Sequence, residues 1–386
     1  MRGINTCARY LSTAAVLGVG LGVGMPVFAS YPDMDIRGRL MVDYHMINED
    51  ETEFVDGFNV RRARIGVNGA LAEGWDGRVE VDFAGASVSP NDFRLRYRLP
   101  TGGRLWIGQY KVPQGFQELN SSVSISLMER PAVTNNIADG RRLGLAYAHD
   151  ADTFGFKTMF FGSSIGGAPD DGDQPIGLAG RAYFAPHIGA NGRLHLGASV
   201  VREDHDVARS VSLGDRPEMR DGSGGTRFPV DVDGDEDRIR VGDVEDSLKL
   251  GVEAVYAAGP FSVVAEYLRA TYNNEAGVDP TFDGFYVEGT YVLTGESRPY
   301  SPGGFGRISP SSPSGAWELA ARYSFMDLND SGFNGGERTN LVLGVNYYVS
   351  SRLRMMANVV FADVSNRDGI DDDSPTLVGG RAQWSF

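Results

Sequence analysis

Apolar and polar residues alternate without a break in residues 92–99, Asp-Phe-Arg-Leu-Arg-Tyr-Arg-Leu. The odd positions are all apolar or aromatic, and the even positions are Asp92, Arg94, Arg96 and Arg98. Successive side chains of a β-strand point to opposite faces of the sheet. This segment therefore predicts a strand with one apolar face and one arginine-rich face.

The same alternation recurs along the chain in about sixteen segments. They lie near 34–48, 58–71, 75–85, 92–99, 104–112, 141–149, 153–162, 177–185, 193–201, 246–257, 260–272, 282–294, 315–326, 338–349, 352–364 and 376–386. An even number of such strands is expected of a bacterial barrel whose apolar face meets lipid and whose polar face lines water. The pattern predicts an all-β fold, namely a transmembrane antiparallel β-barrel of about 16 strands.

The first 29 residues have the features of an export signal. Arg2 and Arg9 give a positive start, residues 11–27 are apolar, and Val27-Phe28-Ala29 precedes Ser30 as a small-residue cleavage site. The alternative, a membrane-anchoring helix, is disfavoured because the apolar stretch is short and rich in glycine. We expect a signal peptide over 1–29, cleavage after Ala29, and a barrel over 30–386. The single cysteine, Cys7, lies in the signal, so the mature chain is expected to have no disulfide and no thiolate metal site.

Connections between the segments differ in length. Residues 72–74, 258–260 and 350–351 predict tight turns at the periplasmic rim, and 111–140, 202–245, 295–314 and 365–375 predict longer loops at the opposite rim. Several aromatic residues near segment ends predict an interfacial girdle, although each could also be an ordinary sheet residue. They are Trp75, Phe83, Trp106, Tyr110, Tyr347, Tyr348 and Trp384.

Charge narrows the choice of partner. The formal net charge is −15, which argues against nucleic acid as a ligand. Of the 36 basic residues only Lys111, Lys157 and Lys249 are lysines, and many arginines share the parity opposite the apolar residues. Guanidinium groups bind oxyanions well, although biased genomic composition would give the same excess. Isolated residues such as Arg181 and Arg354 are predicted to be structural partners of carboxylates inside a polar lumen.

Other chemistry finds little support in the sequence. The acidic run 231–237 has its glycine at the fourth position instead of the sixth that a calcium-binding EF-hand needs, which favours a solvated loop over a calcium site. The five histidines have no metal-ligand spacing, so neither a metal nor a cofactor is expected. An outer-membrane barrel enzyme, or an adhesin acting through 202–245, is a distant alternative.

Longer motifs resemble the phosphate- and polyphosphate-selective porins (porin O and P type) of the bacterial outer membrane. The motifs are Phe-Asn-Val-Arg-Arg-Ala-Arg at 58–64, Gly-Gln-Tyr-Lys at 108–111, Met-Glu-Arg-Pro at 128–131, Leu-Thr-Gly-Glu-Ser-Arg-Pro-Tyr at 293–300, Gly-Ala-Trp-Glu-Leu-Ala-Ala-Arg-Tyr-Ser at 315–324 and the terminal Gly-Gly-Arg-Ala-Gln-Trp-Ser-Phe. The resemblance implies a sixteen-stranded trimeric channel with a loop, here 112–140, folded into each pore. It also implies passage of small anions and contact with outer-membrane lipid and lipopolysaccharide.

The resemblance also implies a set of pore-lining residues. The constriction would include Arg61, Arg62, Asp92, Ser121, Ser122 and Arg130, with Arg37 or Arg39 and the strand residues Arg94 and Arg96 extending an arginine ladder. Adjacent Arg61 and Arg62 can both face the lumen only if the strand contains a β-bulge there. The scarcity of lysine, with Glu118 in the loop and Arg64 after the arginine pair, departs from the selective members. The expected function is an anion porin, with phosphate or polyphosphate as substrate; the alternative is a less selective porin of the same fold.

Overall fold

The sheet of this protein closes on itself. A computed structural model describes residues 31–85, 88–167, 173–214, 216–223, 225–230 and 237–386, so the predicted signal peptide and most of the acidic run 231–237 lie outside the described residues. The first long strand pairs with both the second and the last, and every neighbouring pair is antiparallel. The result is a closed barrel of sixteen strands, as the alternation predicted.

The described residues form nineteen strands and two short helices. The strands are β1 (Asp33–Asn48), β2 (Gly57–Ala72), β3 (Trp75–Asp82), β4 (Ser89–Arg98), β5 (Arg104–Lys111), β6 (Arg141–Asp150), β7 (Phe154–Phe161), β8 (Ile176–Phe184), β9 (His187–Ile188), β10 (Gly192–Leu213), β11 (Ile239–Ala258), β12 (Phe261–Asn274), β13 (Thr281–Val292), β14 (Tyr300–Ser301), β15 (Gly304–Phe305), β16 (Ala316–Asp330), β17 (Phe333–Tyr348), β18 (Leu353–Ser365) and β19 (Thr376–Ser385). The helices are α1 (Phe116–Leu119) and α2 (Ala132–Ile137). β9 only lengthens the pairing of β10, and β14 and β15 form a separate hairpin.

The two faces of the wall follow the sequence alternation. On β16, Trp317, Leu319 and Tyr323 are exposed on the outside, whereas Glu318 and Arg322 are buried on the inside. The same division holds on the other long strands, so the outer surface is apolar, as required where a barrel contacts acyl chains. Neither helix among the described residues is long enough to cross a membrane.

The predicted aromatic girdle is only partly present. Trp75, Phe83 and Trp384 are exposed on the outer surface. Tyr110 and Tyr348 are buried, and Trp106 shares their inward parity, because the exposed residues Leu105 and Ile107 flank it. The prediction is wrong for these three residues, since proximity to a strand end does not determine which parity faces lipid.

Two connections differ from the prediction. β10 continues to Leu213 and β11 begins at Ile239, so the predicted loop 202–245 shrinks to 214–238. Consecutive strands are antiparallel, so alternate connections lie at opposite rims. The connection 293–315 therefore lies at the rim of the tight turn at Gly74 (φ 75°), not at the rim of 112–140 as predicted. Glycine adopts this left-handed backbone conformation without strain.

Candidate functional site: an arginine-lined passage inside the barrel

The connection 112–140, here called the constriction loop, folds into the barrel as the resemblance implied. Its apolar residues Phe116, Val133 and Ile137 pack in one buried cluster with wall residues that include Val264 and Met326. At its start, the backbone N–H groups of Phe116 and Gln117 donate to the Glu266 carboxylate on β12. The loop is thus fixed to one side of the barrel by both apolar packing and hydrogen bonds.

Side chains from β16–β19 and from the connection 293–315 satisfy the loop's backbone carbonyls. Arg354 donates to the Ile125 carbonyl oxygen at 2.9 Å, and Arg322 donates to that of Glu129 at 3.0 Å. The other four pairs, donor first, are Gln383 with Val123, Arg298 with Ser124, Asn346 with Ser126, and Arg381 with Met128. A buried carbonyl needs such a partner. These arginines are therefore scaffold, as predicted for Arg354.

A cavity of about 350 Å³ lies between the constriction loop and the inner face of β1–β8. We call this inner face the open wall and the inner face of β10–β19 the packed wall. Eleven cationic side chains line the cavity against four carboxylates. The cations are Arg39, Arg62, Arg64, Arg78, Arg94, Arg104, Arg130, Arg141, Arg181, Lys111 and Lys157, and the carboxylates are Glu80, Asp92, Glu118 and Asp150. The cavity therefore carries a large excess of positive charge.

Seven of the ten predicted site residues line this cavity, namely Arg39, Arg62, Arg94, Arg130, Asp92, Ser121 and Ser122. Arg39 on β1 meets the loop directly. Its guanidinium donates to Ser122 Oγ at 2.9 Å and to Ser121 Oγ at 3.4 Å, and it pairs with Glu80 at 3.0 Å. The first strand and the loop serines thus meet at one point of the passage.

The β-bulge predicted at the arginine pair is confirmed. Met41 pairs with Arg62 and Val42 pairs with Val60, which leaves Arg61 as the extra residue. Arg61 forms a bidentate pair with the loop residue Glu129 at 2.6 and 2.8 Å, and Arg62 Nη1 lies 4.0 Å from the same carboxylate. Burial alone would raise the pKa of Glu129, but Arg61 and Arg62 hold it well below its ordinary value.

Asp92 holds two arginines in place. It accepts from Arg141 Nε at 2.7 Å and from Arg78 Nη1 at 3.0 Å. Neither Arg78 nor Arg141 was among the predicted residues. Arg78 lies on the inward parity of β3, so strand parity alone would have found it. Arg141 follows the constriction loop directly, and its pairing with Asp92 on β4 is not visible in the sequence.

Arg130 supports the loop's own backbone. Its guanidinium donates to the carbonyl oxygens of Gln117 at 2.9 Å and Asn120 at 2.8 Å and lies 3.3 Å from the Glu118 carboxylate. Lys111 lies 3.3 Å from the same carboxylate. Burial raises the pKa of Glu118, but Arg130 and Lys111 outweigh that effect and lower it. Glu118 therefore stays ionised at the cavity at neutral pH.

The remaining three predicted residues lie outside the 350 Å³ cavity. Arg37 and Arg96 line a neighbouring pocket of about 280 Å³ together with Arg94, near the start of β1 and the end of β4. There Arg96 pairs with Asp76 at 2.7 Å. Arg61 faces the opposite end of the passage with Glu129. The predicted arginines are thus spread along the passage, with Arg37 and Arg96 on one side of the cavity and Arg61 on the other.

Sequence reasoning missed a second arginine cluster, because it treated 202–245 as an acidic loop. Arg216, Arg220, Arg227 and Arg238 line a pocket of about 220 Å³ at the loop rim together with Glu129. Burial and the neighbouring Arg61 lower the pKa of Arg220 to about 10, as expected where positive charges crowd together. The sequence does contain a signal for this cluster, namely four arginines close together within a largely acidic segment.

The connection 293–315 enters the barrel from the turn rim. Pro302 and Gly303 line the cavity, and the Pro302 carbonyl accepts from Arg181 at 2.8 Å. Tyr300 Oη lies 2.6 Å from Nδ1 of the buried His195, whose Nε2 lies 2.7 Å from Glu253. Arg181 also pairs with Glu253, as predicted, and in addition it faces the cavity. His195 is a buried tether for this connection.

A closed transmembrane barrel with a loop fixed inside it and a charged passage beside the loop defines an outer-membrane porin. Comparisons with known proteins give the family. Residues 34–386 match the family described as Phosphate-selective porin O and P. This chain belongs to that family.

Individual relatives agree with this assignment. Porin O of Pseudomonas aeruginosa is 28% identical, over 91% of this chain and 88% of the relative. An anion-selective porin from Comamonas acidovorans superposes with a TM-score of 0.57 at 13% identity, covering 92% of this chain and 100% of that chain. The trimer form of OmpT from Vibrio cholerae has a TM-score of 0.57 at 15% identity, over 92% and 100% of the two chains. At these identities the two structures support the fold alone.

Proposed function

We propose that this porin conducts small anions by diffusion past the constriction loop, with phosphate or polyphosphate as the preferred substrate. The observation that carries the proposal is the cavity lining of eleven cationic side chains and four carboxylates. An anion in a narrow passage loses part of its hydration, and fixed positive charge within low-dielectric walls replaces it. Membership of the phosphate-selective porin O and P family and the fold shared with the anion-selective Comamonas porin support anion passage.

The chemistry of the lining favours oxyanions. A guanidinium group is planar, stays charged at physiological pH and can bind two oxygens of one phosphate. Arginines spread over β1–β8 provide several moderate sites instead of one deep trap, and conduction requires that an ion can both enter and leave. The hydroxyls of Ser121 and Ser122, next to Arg39, add donors for phosphate oxygens. We further propose a homotrimer surrounded by outer-membrane lipid and lipopolysaccharide.

One observation favours the alternative, a less selective porin of the same fold. Glu118 places a carboxylate 3.3 Å from both Arg130 and Lys111, so two of the cavity's cations are partly compensated. Arg64 is likewise paired with Asp82 at 2.6 Å. General anion passage without a strong phosphate preference would result.

Planar-bilayer recording of the purified protein tests the proposal. Under a KCl gradient, we expect a reversal potential that shows preference for chloride over potassium. Inorganic phosphate added in millimolar amounts should block the chloride current if phosphate binds in the passage. Chloride preference without block would favour the less selective porin, and cation preference would contradict anion conduction altogether.

A further inference from the structure

Trp106 lies inside the passage, between two cations of the open wall. The Arg94 guanidinium carbon on β4 is 4.4 Å from the centre of the indole ring, and Lys157 Nζ on β7 is 4.2 Å from it. Lys157 Nζ is also 4.7 Å from the ring centre of Tyr110, which lies 5.3 Å from the Trp106 ring. Trp106 and Tyr110 thus form an aromatic platform beneath Lys157 and Arg94.

Contacts to the faces of the indole ring hold Trp106 in place, and its N–H group forms no hydrogen bond to a described residue that would do so. Among the described residues, Trp106 Nε1 is buried and has no hydrogen-bond partner. A buried indole N–H usually finds an acceptor. Its lack of one here leaves the ring held by its contacts to the cations and by packing against the buried apolar cluster that includes Ala146 and Met159.

Lys157 and Arg94 differ from most of the other cations of the cavity in how they are held. Arg141 is paired with Asp92 at 2.7 Å, which cancels much of its charge. Lys157, by contrast, forms neither a hydrogen bond nor an ion pair with any described residue. The ion-pair partner of Arg94, Asp76, is 3.9 Å away. A ring face attracts a cation without neutralising it, so neither Trp106 nor Tyr110 cancels the charge of these groups as a carboxylate would.

We propose that Lys157 and Arg94 form an anion-binding subsite on the open wall, apart from the constriction-loop residues, and that Trp106 is its positioning residue. The ligand class is a small inorganic anion, either a halide or an oxyanion such as phosphate. The ammonium group and the guanidinium meet the anion, while the aromatic platform fixes both cations at the cavity surface. This inference rests on the proposed anion conduction.

Bilayer recording of Trp106→Leu, Lys157→Met and the double variant tests the subsite. Losing one cation–π contact should lower both the chloride-to-potassium permeability ratio and the affinity of phosphate block about two- to fivefold. Lys157→Met should have at least the same effect. The double variant should lose less selectivity than the sum of the two single losses. The reason is that Trp106 acts only through Lys157 and Arg94, so its loss adds only the effect that it exerts through Arg94.

Two further variants separate positioning from general damage. Trp106→Phe keeps a ring face and should retain most of the wild-type selectivity. Trp317→Leu removes an exposed tryptophan from the lipid-facing surface and should leave selectivity unchanged. Folding of each variant is checked by the shifted migration of the unheated barrel on a denaturing gel.

The outcomes are distinct. A folded Trp106→Leu channel with wild-type permeability ratio and phosphate block overturns the subsite, as does a Trp106→Phe channel that matches Trp106→Leu. If the wild-type channel itself shows no anion preference, the proposed function fails, whatever the variants do. If Trp106→Leu does not fold, Lys157→Met decides, because an unchanged Lys157→Met channel equally contradicts the subsite.

Discussion

The open wall and the packed wall are built from the same alternating strands, yet their arginines have different roles. On the packed wall, Arg322, Arg354 and Arg381 are buried and donate to carboxylates and loop carbonyls. On the open wall and the constriction loop beside it, nine arginines and two lysines line a cavity together with only four carboxylates. Under the proposed function, an inward arginine serves as a ligand site or as a scaffold according to what lies opposite it, and not according to its strand.

Replacing a scaffold arginine should have the largest effect. In Arg322→Met, Glu218 and Glu288 lose a partner whose Nε and Nη1 lie 2.7 and 3.0 Å away. Leaving buried charges unpaired should cost about 3–5 kcal/mol of unfolding free energy. Urea unfolding in lipid vesicles, followed by tryptophan fluorescence, measures this loss. The matched open-wall variant Arg96→Met removes a partly exposed ion pair and should cost about 1 kcal/mol or less of unfolding free energy. Equal losses in the two variants would contradict the proposed difference between the two walls.

Removing a passage arginine should change conduction more than stability. Arg130→Ala deletes a cation at the cavity and its bond to the Asn120 carbonyl, and Arg62→Ala deletes a cation beside Glu129. We expect lower anion conductance, relaxed selectivity and about tenfold weaker phosphate block, the equivalent of one charge-assisted hydrogen bond. Single-channel recording under a KCl gradient measures conductance and selectivity, and the same recording with added phosphate measures the block. Unchanged reversal potentials in both variants would contradict the assignment of these residues to the passage.

Glu118→Gln should act in the opposite direction and more weakly. It frees Lys111 and Arg130 from a carboxylate 3.3 Å away, so anion preference should rise by about two- to fivefold. The permeability ratio for chloride over potassium is the readout. A fall in anion preference would mean that the carboxylate positions the cations more than it compensates them.

We expect the Glu118 carboxylate to contribute to the pH dependence of the wild-type channel. The pKa of Glu118 is lowered from 4.5 by Arg130 and Lys111, so the group is ionised throughout the neutral range. Protonation of Glu118 should therefore raise chloride preference only as pH falls below about 4.5, where it removes negative charge from the passage. Reversal potentials recorded from pH 7 to pH 3 test this. Glu118→Gln should show a smaller rise; a rise of the same size would assign it to another carboxylate.

Charges on the outer surface should matter least. Arg202 and Asp204 form an exposed ion pair in the middle of β10. Exposed pairs contribute little to stability, and their field is screened within about 8 Å at physiological salt. Asp204→Asn should thus change neither the unfolding midpoint nor the reversal potential measurably. A clear change in selectivity would show that charge outside the lumen reaches the permeating ion.

Most of the fold was predictable from the sequence because strand alternation is a local property. The strand predicted near 352–364 follows from which neighbours are apolar, and the structure has it as Leu353–Ser365. The bulge was predicted because the family resemblance put both Arg61 and Arg62 in the lumen, and the structure has it as well. The distribution of charge inside the barrel was less accessible. The pairings of Asp92 with Arg141 and of Arg61 with Glu129 join residues 49 and 68 positions apart, which a pattern with a period of two cannot reveal. Trp106 was misplaced for a different reason, because its position near a strand end was given more weight than the alternation with the exposed residues Leu105 and Ile107, which already places it inward.

The tethering of the constriction loop has an electrical consequence. Six backbone oxygens between Val123 and Glu129 accept hydrogen bonds from the barrel side or from Arg298. Their lone pairs are therefore engaged away from the route of a permeating ion. A loop with those oxygens turned the other way would present a row of negative dipole ends and attract potassium. The sign of the channel's discrimination thus depends on the orientation of peptide groups as well as on the number of arginines.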